Sequence, residues 1–253
     1  MNFQDIEYAG FRAWPALDET DADGVVLRYS HGYTKRANSA NVLQKQKGDY
    51  ATLVSRCEDY FADKGLPCIF RLPSFCNNKE LDSYLDLMGY KSVDRSLILY
   101  RSLEDSSFDS PTLIAKSSNE WMASYCRISA TDINDHKTHL EILQRINDTV
   151  LMAVLVENDV EIACAMGVIS NGYFGLFDVA TDKSYRNMGY GTKLLQGMLS
   201  WATSNGATHA YLQVVAANKP AISLYTNFGY QPCYEYCYRI GTFNAPATEH
   251  TSP

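Results

Sequence analysis

Shifted by 140 positions, this chain lies on itself. Gly89 then falls on Gly229 and, with no gap, Ser30 on Ser170, Gly32 on Gly172, Tyr33 on Tyr173, Ala40 on Ala180, Tyr50 on Tyr190, Thr52 on Thr192, Ala62 on Ala202 and Leu72 on Leu212. Asn78 and Lys79 fall on Asn218 and Lys219, Ser83 on Ser223 and Tyr90 on Tyr230. These coincidences sit at turns and caps, where backbone angles restrict residue choice, so the offset reads as two related units. At 253 residues the chain has room for one large domain or two modest ones, and the repeat favours two.

A hydrophobic content of 46% against 20% charged residues allows an ordinary core and excludes a disordered chain. The net charge of −7 gives no electrostatic reason to approach a phosphate backbone or an anionic bilayer, so neither nucleic acid nor membrane is an expected partner. No apolar run nears the ~18 residues of a membrane span. Residues 1–10 lack the basic and apolar regions of a signal peptide, and the expected location is cytoplasmic. The cysteines are scattered, without a CxxC pair, and read as reduced core thiols. Cys233 and Cys237 have no nearby His or second Cys pair to complete a zinc pattern, so no metal site is expected.

From residue 115 the periodicities follow a readable order. Trp121, Met122, Tyr125 and Ile128, then Leu140, Leu143 and Ile146, have helical spacing, with a loop over 131–136 between them. Apolar strands follow at 150–156 and 161–169, and Asn171-Gly172 is a two-residue hairpin signal leading into a third at 173–181. The turn 186–192 feeds a helix carrying Leu194, Leu195, Met198, Leu199 and Ala202, stopped at Asn205-Gly206. A strand at 210–215 comes next, then a short helix opened by Asn218 with Pro220 in its first turn and closed at Phe228-Gly229, then a strand at 234–240. The order ααβββαβαβ makes this an α+β chain with a mixed sheet.

A glycine-bearing turn between strand and helix has a chemical use. The free N–H groups of the first helical turn and the positive end of the helix dipole attract an anion, and glycine lets the backbone approach it. Gly189-Tyr190-Gly191 lacks the lysine spacing of a nucleoside triphosphatase loop and the third glycine of a dinucleotide site. Two stretches instead resemble the GNAT superfamily of acyl-coenzyme-A-dependent N-acetyltransferases. Arg186-Asn187-Met188-Gly189-Tyr190-Gly191 fits its Arg/Gln-x-x-Gly-x-Gly/Ala loop, and residues 218–230, NKPAISLYTNFGY, fit its Asn-x-x-Ala-x-x-Leu-Tyr-x-x-x-Gly-Phe motif. Both occur in the family's order and at its usual separation, and the resemblance spans roughly 115–240. Thr181-Asp182-Lys183 departs from the proline that the family often carries ahead of the loop.

The resemblance implies a role for each matched residue. The strand end 177–181 would splay from its neighbour and offer backbone at Val179, Ala180 and Thr181 to the pantetheine of acetyl-CoA. The loop of Arg186, Asn187, Met188, Gly189, Tyr190, Gly191 and Thr192 would hold the pyrophosphate on N–H groups, Thr192 adding a hydroxyl. Asn218 would contact the cofactor while capping its helix. Tyr225 would donate a proton to the departing thiolate. The base is less determined: Asp178 is the nearest carboxylate in sequence, and it either serves the acceptor amine or points to solvent. His209 reads as a satisfied core histidine. His136 and His139, with Asp132 and Asp135, lie where relatives line the acceptor side, and either hold a cationic substrate or form a solvated loop.

The first copy differs where this chemistry would lie. Gln46 stands opposite Arg186, Asp49 opposite Gly189 and Leu85 opposite Tyr225, which puts a carboxylate where pyrophosphate would sit and removes the phenol. Residues 1–104 are therefore expected to form a truncated, noncatalytic GNAT-like copy whose first strand begins near Gly24, joined by a linker at 105–114 to a catalytic domain at 115–245, with a flexible tail at 246–253. Within the first copy, residues 32–39 (GYTKRANS), like Trp14-Pro15, resemble a phrase of some bacterial GNAT proteins; Lys35 and Arg36 form either a basic spot or a solvated hairpin.

The expected activity is transfer of acetyl from acetyl-CoA to a primary amine of a small molecule by direct attack, without a metal, in a monomer or homodimer. A CoA-binding sensor without turnover and a protein or peptide N-acetyltransferase are the alternatives.

Overall fold

The structure, a computed structural model, describes residues 2–22, 24–104 and 106–242. In chain order it gives α1 (Phe3–Ala13), β1 (Asp18–Ala22), β2 (Val25–Tyr29), β3 (Ser39–Val42), α2 (Tyr50–Ala62), β4 (Ile69–Pro73), α3 (Lys79–Leu87) and β5 (Lys91–Ser102). Then follow β6 (Leu113–Ala115), α4 (Ser118–Ser129), α5 (Lys137–Gln144), β7 (Thr149–Glu157), β8 (Val160–Ser170), β9 (Tyr173–Thr181), α6 (Tyr190–Ser204), β10 (His209–Val215), α7 (Lys219–Asn227) and β11 (Gln231–Ile240). The fold is mixed α+β, with the ααβββαβαβ order in the second copy.

The sequence offset is also an offset of elements. Tyr50 opens α2 where Tyr190 opens α6, α3 falls on α7 at both ends, β4 falls on β10, and β5 falls on β11. His31 and Gly32 have φ of 49° and 75°, Asn171 and Gly172 φ of 50° and 79°, so each copy turns with two consecutive left-handed residues, and in the second copy they close the tight β8/β9 hairpin. No helix of the described residues is long and apolar enough to cross a membrane.

Two compact units result, and they do not follow the sequence copies end to end. One comprises the residues up to Leu17 with Ser96–Glu235, the other Asp18–Arg95 with the residues from Tyr236 on. In the first, strands run β6-β7-β8-β9-β10-β5, where β5 contributes its residues 96–102. Only β9 and β10 pair in parallel; the other neighbours are antiparallel. Helix α6 buries Leu194, Leu195, Met198, Leu199 and Ala202 in a core that includes Phe174 and Leu176. Phe177, one residue out of phase with those two, meets Trp14 instead, with ring centroids 6.1 Å apart. The first residues belong to this unit rather than to the domain expected over 1–104, with α1 set against β8 and β9.

In the second unit strands run β1-β2-β3-β4-β11, with β11 supplying residues 236–240 against β4. Its core gathers Val25, Leu27, Val42, Phe61, Phe70 and Leu81. The first strand starts at Asp18, not near Gly24: in β1, DETDA, only Ala22 is buried, so no alternation of apolar residues announces an edge strand. Leu113 and Ile114, placed in the linker by sequence, pair with β7 along with Ala115. The tail at 246–253 lies outside the described residues.

The GYTKRANS stretch is a tied turn. Thr34 sits at φ 79°, and the buried Asn38 amide spans the loop, its Oδ1 accepting from the N–H groups of Ser30 (2.7 Å) and Gly32 (2.9 Å) and its Nδ2 donating to the carbonyls of Thr34 (2.8 Å) and Ser30 (3.4 Å). The carbonyl of Arg36 accepts from the buried Arg28 guanidinium, which also pairs with Glu19 at 2.9 Å, while Lys35 pairs with Asp94 at 2.7 Å.

Candidate active site

Two irregularities in β9 open the first unit's sheet. The β8/β9 ladder pairs Met166 with Phe177 and next Cys164 with Ala180, so Ala165 faces both Asp178 and Val179. This is a bulge, and Asp178 sits in it at φ 49°, a left-handed angle that Asp tolerates better than most residues. On the other side, the parallel β9/β10 ladder runs from Tyr173 and His209 to Leu176 and Leu212 and goes no further, although both strands continue. Ala180 and Thr181, half-buried like Val179 in the bulge, thus keep their β8 partners Cys164 and Ala163, and none of the three has a partner in the β10 ladder.

Helix α6 begins beside that opening. Gly189 is its N-cap at φ 85°, ψ −3°, with no side-chain cap, and the first helical bond runs from the Lys193 N–H to the Gly189 carbonyl at 3.0 Å. The N–H groups of Tyr190, Gly191 and Thr192 precede it and have no carbonyl four residues back within the helix. Asn187 is left-handed at φ 61°; Arg186, Met188 and Thr192 are exposed, and the Arg186 Nε donates to the Thr181 carbonyl at 3.2 Å. A Cβ added at Gly191 would lie 3.5 Å from Leu224 of α7 and 3.8 Å from Oγ1 of Thr181, so the end of β9, the start of α6 and the middle of α7 converge there.

Helix α7 starts at Asn218, whose side chain accepts from the Ala221 N–H at 3.2 Å. Two turns on, Tyr225 is 8% exposed, its ring edge-on to Tyr230, and its hydroxyl makes no hydrogen bond among the described residues. Burial alone pushes its pKa up to about 12, so the phenol keeps its proton at neutral pH.

Asp178 joins a different set of side chains. Its Oδ2 lies 3.0 Å from Nε2 of His139, Nδ1 of His139 lies 3.4 Å from Nδ1 of His136, and Nε2 of His136 lies 3.0 Å from the Thr131 hydroxyl. His139 is buried under Trp14, Trp121 and Tyr125. Burial, then His139, lowers the His136 pKa from its ordinary value, and burial with Asp178 nearby pushes Tyr125 and Cys164 up to about 12 each. Asp178 therefore does not point to solvent, and His136 and His139 are not a solvated loop. Sequence spacing puts the two histidines on one helical face, yet nothing in it connects them to a carboxylate on a distant strand. His209 is half-buried, stacked between Tyr173 and Tyr100, with Nδ1 on the Thr208 hydroxyl at 2.8 Å.

In the first copy the corresponding helix N-terminus is capped from within. Asp49 caps α2, accepting from the N–H groups of Ala51 and Thr52 and from the Thr52 hydroxyl at 2.6 Å, and these bonds to Thr52 hold its carboxyl below the ordinary range. Asn78, which matches Asn218, ties the preceding loop instead, accepting from the Gln46 N–H and donating to the Gln44 carbonyl. Leu85 is fully buried where the second copy has Tyr225.

The first unit thus presents a split parallel strand pair with a glycine-capped helix N-terminus at its opening. A family model described as "Probable histone acetyltransferase Rv0428c C-terminal" matches residues 2–239, and the chain belongs to that family of GNAT-superfamily N-acetyltransferases. It is 29% identical over 245 residues to the uncharacterized N-acetyltransferase YobR of Bacillus subtilis, covering 93% of this chain and 97% of that protein. A GCN5-related N-acetyltransferase from Kribbella flavida aligns with a TM-score of 0.72 at 19% identity over 96% of each chain. A tandem GNAT protein from the clavulanic acid biosynthesis pathway aligns at 0.65 and 10% identity, over 95% of this chain and 89% of that one. At such identities the likeness to these structures is one of fold.

Proposed function

We propose that this acetyltransferase moves an acetyl group from acetyl-CoA to the primary amine of a small molecule by direct attack. The observation that carries this is the first turn of α6, glycine-capped and with no side-chain cap on its N–H groups, set where β9 and β10 stop pairing. Acetyl-CoA supplies an activated acetyl thioester. Val179, Ala180 and Thr181 would take its pantetheine amides on backbone groups that have no β10 partner, and the N–H groups from Asn187 to Thr192 would take the pyrophosphate at the positive end of the helix. Asn218 keeps α7 in place and thereby positions Tyr225. The Tyr225 hydroxyl, protonated and uncommitted, gives its proton to the departing thiolate. Asp178 takes the proton that the acceptor's ammonium must lose before it attacks. Its side chain is 16% exposed, recessed enough to favour a slender amine over a broad protein surface.

The test is calorimetric titration with acetyl-CoA beside a thiol-release assay over spermidine, an aminoglycoside, amino-acid amides and a lysine-bearing peptide. Binding with turnover of the small amines is the expected result. Turnover of the peptide alone would favour the acceptor named in the family's description, and binding without any turnover would make the protein a CoA sensor.

A further inference from the structure

We propose that His139 is the positioning residue of the reaction, holding the Asp178 carboxylate in register for the acceptor amine, with His136 and Thr131 fixing which ring nitrogen of His139 carries the proton. This rests on the assignment of Asp178 as proton acceptor.

Hydrogen-bond polarity dictates the arrangement. An ionised carboxylate only accepts, so His139 must donate from Nε2 to Oδ2 of Asp178 at 3.0 Å. A neutral His139 then has Nδ1 as acceptor, which requires His136 to donate from its own Nδ1, at 3.4 Å. His136 is left with Nε2 as acceptor, and the Thr131 hydroxyl donates to it at 3.0 Å. One set of neutral tautomers satisfies all three contacts. The order begins at a hydroxyl, a group that can supply the first proton without changing charge.

Three features set this apart from an ordinary core histidine. The bulge in β9 holds Asp178 at φ 49°, a conformation that regular pairing would not need and that aims the carboxylate at α5. Trp14, Trp121 and Tyr125 enclose the His139 ring and leave it little freedom to turn. The other carboxylate oxygen, Oδ1, has no hydrogen-bond donor among the described residues. The acceptor's N–H bond breaks as the Oδ1–H bond forms, directly or through one water; the nitrogen lone pair so released attacks the acetyl carbonyl, and Asp178 later returns its proton to solvent. His139 keeps its proton throughout.

Charged and titratable groups face these side chains from α4, β8 and the turn ahead of α5. Tyr125 from α4 and Cys164 from β8 are both neutral at pH 7, since their pKa values are pushed up to about 12. Asp132 and Asp135 lie beside His136 ahead of α5 and favour its protonated form, against burial and His139, which oppose it more strongly.

The experiment uses the full chain, parent and variants, with imidazole ¹⁵N shifts, acetyl-CoA melting shifts and steady-state kinetics on the best amine of the panel. In the parent, His139 should show the Nε2–H tautomer and His136 the Nδ1–H tautomer at pH 7.5. His139→Leu should keep the acetyl-CoA melting shift and lose roughly 10- to 100-fold in kcat with a small change in amine KM, as removal of an orienting partner does. His139→Gln, whose amide can still donate to Asp178, should recover most of that loss, and His139→Leu should cost little more in an Asp178→Asn background. A parent spectrum with His139 protonated on Nδ1, or a folded His139→Leu protein with full kcat, overturns the proposal. If His139→Leu does not fold, the tautomer measurement and His139→Gln decide it. Full activity in Asp178→Asn would instead remove the base assignment beneath it, and a parent that turns over no amine would remove the transfer reading and leave the tautomers to judge the hydrogen-bond chain.

Discussion

Gly189→Asp should abolish acetyl-CoA binding and leave the fold standing, because the first copy shows what an aspartate does at that place. Asp49 engages the N–H groups of Ala51 and Thr52, and the 140-residue offset carries those donors onto Gly191 and Thr192. An aspartate at 189 would thus cap α6 itself. Such a cap contributes ~1 kcal/mol, against ~1–2 kcal/mol for a residue with a Cβ at the left-handed φ of 85°. The two nearly offset, and the free variant should melt within a few degrees of the parent. Binding should suffer far more. At acetyl-CoA concentrations about 100 times Kd, the parent gains ~2.7 kcal/mol, or ~5–11 °C at ~2–4 °C per kcal/mol for a chain of this size. A carboxylate ~4 Å from a phosphate repels it by ~4 kcal/mol at an effective dielectric of ~20, and two charge-assisted N–H bonds, each ~1.5–3 kcal/mol, are lost as well. Even with half of this screened, Kd rises by at least ~400-fold and the stabilisation at the same ligand concentration drops below ~0.2 kcal/mol. Differential scanning fluorimetry with and without acetyl-CoA, beside circular dichroism, reads both quantities. A folded Gly189→Asp protein that keeps more than half of the parent's shift would refute the cofactor site.

Tyr225→Phe should lower kcat by roughly 10²- to 10⁴-fold in the thiol-release assay while calorimetry finds acetyl-CoA affinity unchanged. The same variant has a pH signature: the buried phenol's pKa is raised from 10 to about 12, so the folded state binds its proton more tightly, and the parent loses stability on the order of 1.4 kcal/mol per pH unit from pH 10 towards 12, a decline that denaturant titration should find reduced in Tyr225→Phe. Asn38→Ala removes an amide that serves four backbone groups, and chemical denaturation should show a loss of about 3–4 kcal/mol. Calorimetry should give one acetyl-CoA per chain, since Asp49 and Asn78 consume the donors that a second site would need; two equivalent sites would contradict that account.

Sequence carried the second copy's helices well because their ends are fixed locally. Gly189 and Asn218 stand where α6 and α7 begin, and Asp49 caps α2, while Asn78 holds the first place before α3 with its side chain turned to the preceding loop. What it could not carry depends on partners far along the chain. The amphipathic pattern of α1 says that one face is buried, not that Trp14 will lie against His139 and Phe177. Strand alternation places the Asp178 side chain on one face or the other, and the bulge, which no alternation reveals, decides what it meets. Edge strand β1 stayed hidden because a row of acidic and polar residues looks the same in a strand as in a loop.

The exchanged strands bear on how the polypeptide matures as it leaves the ribosome. Leu72 of β4 pairs with Cys237, so the N-terminal unit, though translated early, emerges with an open sheet edge that no earlier residue closes. It must wait for nearly the whole chain before its last strand arrives, and until then the unpaired backbone of β4 is a template for foreign strands. Leu99, by contrast, is synthesised well before its partner Leu212 and must be kept available. A chain released early, by truncation or stalled translation, would present that edge permanently, which makes chaperone dependence and aggregation of C-terminally shortened forms the cellular counterpart of this topology.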